Sequence, residues 1–127
     1  AGLLLMGICG FVDLTDDRFT ATVRRIEREL CDGPAVYRYH HADGLSGIEG
    51  GMLICTGWLV QALVACGRAD DAVTWFDRLV LPAGPTGMLP EQIDPRTERS
   101  LGNVPQAYSH LAVIDSAVAL AAAGVTG

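Results

Sequence analysis

One acid stands out in the sequence as a candidate for chemistry. Glu91 follows Gly-Met-Leu-Pro in the stretch GMLPEQID, residues 87–94. Pro90 on one side and the Asp94-Pro95 pair on the other restrict the backbone, so the carboxylate is expected on a short, rigid loop. A carboxylate in a fixed position is what general acid–base catalysis requires. A solvated loop acid would show the same local pattern, and Glu91 alone does not separate the two.

A second group of candidate residues lies in the long segment 32–50, which has no strong helix signal. It combines tyrosines, an arginine, acids and adjacent histidines with several glycines, and this composition suits the wall of a ligand site. His40 and His41 could indicate a metal ion. Neighbouring side chains on a loop rarely converge on one ion, so a structural or substrate-facing role is expected instead. Neither a metal nor a cofactor is predicted.

Helices are expected to position these residues. Four segments have helical periodicity: 18–31, 51–66, 70–81 and 105–123. The first, capped by Thr15 or Asp16, and the third are amphipathic. The second is apolar on all sides, which predicts a buried helix ended by Gly67, and it is shorter than the about 20 residues of a membrane span. No segment predicts a confident strand.

The last helix is expected to start close to the Glu91 loop. Asn103 fits an N-cap, and Pro105 suits the first helical position because its missing N–H has no partner to lose there. Gln106 and His110, four residues apart, are expected to point the same way. The face predicted to pack inward carries Ala107, Leu111, Ile114 and Val118.

Composition limits the fold and the partners. A chain of 127 residues forms one domain at most, and its 50% hydrophobic content predicts a packed core rather than disorder. The net charge of −6 and the pI near 4.8 argue against nucleic acid or an anionic membrane as the main partner. A helix buried on all sides needs a further layer around it, which so short a chain barely supplies. The helix pairs therefore indicate one sector of a larger helical barrel, incomplete in this chain.

The cysteines and the first residues bear on location. Cys55 and Cys66 lie eleven positions apart in one predicted helix, about 16 Å, which is too far for a disulfide. No paired spacing indicates zinc, so free, mostly buried thiols and a cytoplasmic location are expected. The apolar run 3–6 followed by Cys9 can be read as part of a signal peptide, but no basic segment precedes it. The favoured interpretation is that position 1 falls within a helix of a longer chain.

Two stretches together carry a family resemblance. GMLPEQIDP at 87–95 and LGNVPQAYSHLAVI at 101–114 resemble glycoside hydrolase family 15, which holds glucoamylases, glucodextranases and some bacterial trehalases. The resemblance continues through 33–50 and 55–72 and covers essentially the whole chain. The combination is specific, whereas a single stretch such as GRADDA at 67–72 occurs in other helical proteins.

The resemblance implies an all-α fold, an (α/α)6 barrel, with residues 1–127 as the C-terminal part of its single catalytic domain. It implies an inverting mechanism on α-glucosidic bonds of an oligosaccharide or disaccharide. Glu91 matches the general base, and Arg38 and Asp43 look like the pair that binds the non-reducing glucose. The general acid belongs to an earlier segment, so the remainder of the barrel is the implied partner.

Several alternatives stay open at this point. Glu49 is the second glutamate that ends a loop of functional composition. By resemblance it belongs to the wall of the substrate site, but it could also be the general acid. Gly57 and Val104 replace bulky aromatic residues, which predicts thinner packing behind the site, and Gln92 replaces a second acid. The chain could therefore be a non-catalytic helical module or a pseudoenzyme remnant. A sugar epimerase, using the histidines at positions 40, 41 and 110, is a third possibility.

Overall fold

The computed structural model describes residues 1–41, 44 and 49–125, and most of these are helical. Short 3-10 turns occupy Gly2–Leu4 and Leu81–Thr86. The α-helices of the described part are α1 (Leu5–Ile8), α2 (Asp17–Leu30), α3 (Leu53–Ala65), α4 (Ala69–Val80) and α5 (Ala107–Ala122). The four long helices confirm the predicted segments to within two residues at each end.

Helix α2 begins as its sequence predicts. Asp16 is the N-cap, and its carboxylate accepts a hydrogen bond of 2.8 Å from the N–H of Arg18, one of the donors that a helix start leaves without a partner. The side chain and the backbone of Arg18 together lower the pKa of Asp16 to about 2. The inward face carries the buried residues Phe19, Val23 and Ile26.

Helix α3 is the centre of the fold, and it is buried on nearly all sides as predicted. Its buried apolar residues are Leu53, Cys55, Leu59, Val60, Ala62 and Leu63. The helix ends in a Schellman motif, because Gly67 adopts a φ of +72° and two backbone bonds close the last turn. In these bonds the Gly67 N–H donates to Val64 and the Arg68 N–H donates to Leu63.

Arg68 then ties the start of α4 to α2. Its Nη1 and Nη2 donate to the two carboxylate oxygens of Glu27 at 2.6 and 3.0 Å, and its Nε donates to Asp71 at 2.7 Å. The planar guanidinium matches a carboxylate in this forked geometry. Helix α4 turns Ala72, Trp75 and Leu79 inward, as the amphipathic pattern predicts.

The prediction of no strands is wrong. Two-residue strands occur at β1 (Cys31–Asp32), β2 (Ala35–Val36), β3 (Gly51–Met52), β4 (Gln92–Ile93) and β5 (Ser100–Leu101). β1 and β2 form a hairpin, and β3, β4 and β5 form an antiparallel sheet with β4 in the middle. Strands of two residues are too short to show an alternating pattern, so only the tertiary contacts reveal them.

Helix α5 starts later than expected. Gln106 is its N-cap and its side chain accepts a hydrogen bond from the N–H of Tyr108. Asn103 is therefore not the cap, and Pro105 precedes the helix, following a cis peptide bond with Val104. The expected positions are wrong because the amide of Asn103 contacts Glu91 instead.

The inward face of α5 is also not the predicted one. Leu111, Ile114 and Val118 are 52%, 56% and 64% exposed, and Ala107 is exposed as well. The buried side is made mainly of smaller residues, namely Ser109, Ala112, Ser116 and Leu120. Both sides of this helix are apolar enough that the 3.6-residue period does not choose between them.

Close packing on α3 explains why the small residues face inward. A Cβ added at Gly57 would lie 2.6 Å from the Cβ of Ala112, closer than real contacts allow. Ser116 Oγ also donates to the Gly57 carbonyl at 3.3 Å. Gly57 thus permits a close helix contact, and Val104 is 54% exposed. The expectation that Gly57 thins the packing behind the site is wrong, and the same expectation for Val104 stays a prediction.

All four cysteines are free, as expected, but only Cys55 is buried, because Cys31 and Cys66 are half-buried and Cys9 is exposed. Burial raises the pKa of Cys55 to about 11, and burial together with the charge of Glu27 raises that of Cys31 to about 12. None of the helices in the described part of the chain is long and apolar enough to cross a membrane.

Candidate active site

The first turn of α5 holds the two residues before Glu91. The Leu89 N–H donates to His110 Nε2 at 3.2 Å, and the Leu89 carbonyl accepts from the Gln106 N–H at 2.9 Å. The Pro90 carbonyl accepts a 2.7 Å bond from the hydroxyl of Ser109, and this contact is buried. Gln106 contacts Leu89 through its backbone N–H and His110 contacts it through its ring, so the expectation that the two side chains point the same way stays a prediction.

The backbone of Glu91 is fixed from two further directions. Its N–H donates to the Asn103 carbonyl at 2.9 Å, and its carbonyl accepts from the Leu53 N–H at 3.1 Å. Leu53 is the first residue of α3, where the N–H groups have no acceptor within the helix. Every backbone polar group from residue 89 to 91 therefore has a protein partner, and the expectation of a rigidly held segment is confirmed.

The carboxylate of Glu91 is anchored through one oxygen. Oε2 accepts two hydrogen bonds from Asn103, one from its backbone N–H at 3.1 Å and one from its side-chain amide at 2.9 Å. Among the described residues, none donates a hydrogen bond to Oε1. Gly102, at a φ of +71°, makes room for this arrangement, because a Cβ there would lie 2.7 Å from Oε2.

The β3–β4 pairing joins this segment to the end of the long loop. Met52 lies opposite Gln92 in the antiparallel ladder, and the Gln92 side-chain oxygen accepts a 2.9 Å bond from the Gly50 N–H. Gln92, noted above as a departure from an acid, thus serves as a link between the two segments. It brings the residue after Glu91 against the residue after Glu49.

Arg38 and Glu49 form an ion pair across the loop. Arg38 Nη2 lies 2.7 Å from Glu49 Oε1 and 2.7 Å from the Tyr39 hydroxyl, and its guanidinium sits 4.6 Å from the Tyr39 ring centroid. Partial desolvation acts to lower the pKa of Arg38, but the charges and hydrogen bonds of Glu49 and Tyr39 outweigh it, so the pKa is raised. The pair remains accessible, with Arg38 45% exposed and Glu49 28% exposed.

Two pairs of aromatic rings lie in the same stretch of the chain. The rings of Tyr37 and His40 lie 4.4 Å apart between centroids, and those of Tyr39 and His41 lie 4.3 Å apart. Each histidine therefore packs on a tyrosine two or three positions before it. Within residues 1–41, 44 and 49–125, no group of three or more histidine, cysteine or acidic residues is arranged to hold a metal ion.

Comparison with known proteins decides what this arrangement belongs to. The family model of glycosyl hydrolases family 15 matches residues 1–118. The chain belongs to this family. The resemblance inferred from the two stretches around Glu91 and Asn103 is confirmed, and no solved structure matches the chain.

Curated relatives of this family 15 chain are trehalases. It is 44% identical to a trehalase of Mycolicibacterium smegmatis over 121 residues. The aligned region covers 93% of this chain and 18% of that trehalase. It is 41% identical over 115 residues to a trehalase of Thermoplasma acidophilum, covering 90% and 20%. Trehalase 1 of Sulfolobus acidocaldarius is 32% identical over 110 residues, covering 87% and 20%. The chain thus spans about a fifth of the length of these relatives.

The structure brings some of the residues predicted for the site together and separates others. Arg38 and Glu49 are in direct contact, whereas Asp43 lies outside the described residues. Glu49 precedes β3 and Glu91 precedes β4; because the two strands are antiparallel, the two acids lie at opposite ends of the ladder.

Three residues that position Glu91 were not recognised from the sequence. From the sequence, Asn103 is expected to cap a helix, and no contact with the Glu91 segment is predicted for Gly102 or Ser109. Gly102 and Asn103, which precede Pro105, are typical of a turn. The residue types at these positions do not predict that the turn contacts Glu91, twelve positions before Asn103. His110, which an epimerase would use for acid–base chemistry, accepts the Leu89 N–H through Nε2.

Proposed function

We propose that this chain carries the general base of an inverting α-glucosidic hydrolase of family 15. The observation that supports this role is the state of the Glu91 carboxylate, with Oε2 held by two donors and Oε1 without a donor among the described residues. A general base needs a fixed orientation and one oxygen free to take a proton. The rigid backbone of residues 89–91 meets the first requirement.

In this mechanism Glu91 acts on a water molecule. Oε1 takes a proton from the water as the water oxygen attacks the anomeric carbon from the face opposite the leaving group. A carboxylic acid on the other side protonates the departing glycosidic oxygen, and the two groups stand about 6.5–9.5 Å apart in inverting enzymes. We assign that acid to a part of the parent enzyme outside residues 1–127.

The Arg38–Glu49 pair is proposed as part of the sugar-binding wall. A guanidinium presents five N–H donors in a plane, so Arg38 can bind sugar hydroxyls in addition to Glu49. By the family resemblance, Asp43 would share the non-reducing glucose with Arg38. Glu49 is assigned to the wall rather than to acid catalysis, because its carboxylate is ion-paired with Arg38 and the family resemblance places it in the wall.

The substrate proposed for the parent enzyme is trehalose. The curated relatives at 32–44% identity are trehalases by name, which favours this disaccharide over the starch oligosaccharides of other family members. No cofactor is proposed.

We also propose that the chain forms part of an (α/α)6 barrel. The exposed apolar side of α5, with Leu111, Ile114 and Val118, supports this, because exposed apolar patches on a helix are usually covered by another element. Further helix pairs of the parent enzyme would cover this side and complete the catalytic pair.

The test uses the longest protein encoded in frame with this chain and follows trehalose hydrolysis by NMR. Inversion releases one α- and one β-glucose from each trehalose. Glu91→Gln keeps the shape of the side chain but removes the base, and should lower kcat about 100- to 10,000-fold. Glu98→Gln, an exposed acid in the same loop region, should leave kcat unchanged.

Two results would contradict the proposal. Activity of Glu91→Gln close to that of the unaltered enzyme would exclude Glu91 as the base, and release of α-glucose alone would exclude inversion. If the full protein hydrolyses no α-glucoside, the non-catalytic helical module becomes the better description.

A further inference from the structure

We propose that Asn103 is a positioning residue that selects which oxygen of Glu91 acts as the base. The inference rests on the proposed function, because it concerns the orientation of the proposed base. Both N–H donors of Asn103 reach the same oxygen, Oε2. The carboxylate is thereby prevented from rotating, and Oε1 becomes the oxygen that meets the water.

The first argument is that hydrogen bonds run in both directions between Glu91 and Asn103. The Glu91 N–H donates to the Asn103 carbonyl, and the Asn103 N–H donates to the Glu91 carboxylate. The first bond joins the two backbones and the second joins the Asn103 backbone to the Glu91 side chain, so together they fix how the two residues lie against each other. The side-chain amide of Asn103 adds the third bond, and hydrogen bonds to a charged oxygen are stronger than those between neutral groups.

The second argument is the exposure of Asn103. The residue is exposed and its side chain belongs to no packed core, so packing does not account for an amide at this position. Its side-chain hydrogen bond in the described structure goes to Glu91. Gly102 supports the same geometry, because any Cβ there would press on Oε2. The turn at 102–103 is therefore shaped around the carboxylate.

The test compares two substitutions of Asn103 in the full in-frame protein. Asn103→Ala removes the side-chain donor and leaves the backbone N–H. We expect kcat to fall about 10- to 100-fold with KM changed less than about threefold, because a misoriented base slows the reaction more than it weakens binding. Thr97→Ala is the matched control, since Thr97 is exposed in the same loop and bonds to Asp94 rather than to Glu91.

Asn103→Asp gives a readout that a purely structural role would not produce. It places a second carboxylate against Oε2, and two neighbouring carboxylates favour a shared proton. The acid limb of the kcat/KM profile should move to higher pH by about one unit. Unchanged melting temperatures would show that both variants fold.

The outcomes separate this inference from the proposed function. If Glu91→Gln is inactive while both Asn103 variants match the unaltered enzyme in kcat and pH profile, the positioning role is wrong and the base assignment stands. If Glu91→Gln is active, the base assignment itself fails. If Asn103→Asp does not fold, the kcat and KM of Asn103→Ala decide: a fall in kcat supports the role, and an unchanged kcat overturns it.

Discussion

Asn103 and Glu91 are joined by three hydrogen bonds, of 2.9, 3.1 and 2.9 Å, although they lie on two separate segments of the chain. One bond connects their backbones, and two end on a single carboxylate oxygen. The turn before α5 thus sets the orientation of the side chain proposed as the base. The first turn of α5 holds the residues in front of it, so the helix and its preceding turn act as one support.

Ser109 should matter for the stability of the fold. It is 1% exposed and donates to the buried Pro90 carbonyl, so Ser109→Ala leaves that carbonyl without a partner. We expect the free energy of unfolding to fall by about 1–3 kcal/mol, as measured by urea unfolding. Ser100→Ala, at an exposed position, should change it by less than about 0.5 kcal/mol. Equal shifts in the two variants would show that the Ser109 bond contributes nothing.

Gly57→Ala tests the close contact between α3 and α5. Alanine normally stabilises a helix interior relative to glycine by about 1 kcal/mol. Here the added Cβ would lie 2.6 Å from Ala112 Cβ, and overpacking of this kind lowers stability by about 1–3 kcal/mol. We therefore expect net destabilisation in thermal or urea unfolding.

A second substitution makes this test specific. Ala112→Gly in the Gly57→Ala background removes the Ala112 Cβ that the new Cβ would contact. It should therefore recover part of the lost stability. Gly2→Ala is the control, because a Cβ at Gly2 meets nothing within 4 Å. A gain in stability from Gly57→Ala would mean that the two helices lie farther apart than described.

The buried thiols should make stability fall at high pH. Burial raises the pKa of Cys55 to about 11 from 9.0, so the folded chain keeps a proton that the unfolded chain loses. The favourable contribution is complete below pH 9 and is lost between about pH 9 and 11. Urea unfolding across this range should show the decline, and Cys55→Ala should reduce its slope.

Cys9 provides the comparison for this measurement. It is an exposed free thiol, so Cys9→Ala should leave the decline unchanged. The same slope in Cys55→Ala and in the unaltered chain would contradict the role of burial at Cys55. Some decline will persist in the variant, because burial also raises the pKa of Cys31.

Local sequence was enough to predict most of the helices. In α2 and α4 the polar and apolar residues alternate with the helical period, and Asp16 and Gly67 mark a start and an end with side-chain and backbone chemistry that acts within a few residues. The rigid setting of Glu91 was also predictable, because Pro90 and Pro95 restrict the chain locally.

The faces of α5 could not be predicted in the same way. Its larger apolar residues, including Leu111 and Ile114, suit an inward face by the usual rule. The side that packs on α3 is instead set by Gly57, which admits only small partners such as Ala112. That choice depends on a residue more than fifty positions away in the chain.

The sequence by itself therefore determined the helices, the rigid loop of Glu91 and the family, since each depends on residue types within a short window or on a pattern along the chain. Only the tertiary structure decided that Asn103 holds Glu91, that Arg38 pairs with Glu49 and that small residues of α5 face the core. These contacts join residues eleven or more positions apart, beyond the short windows from which helices and turns are predicted. No local preference contains that information.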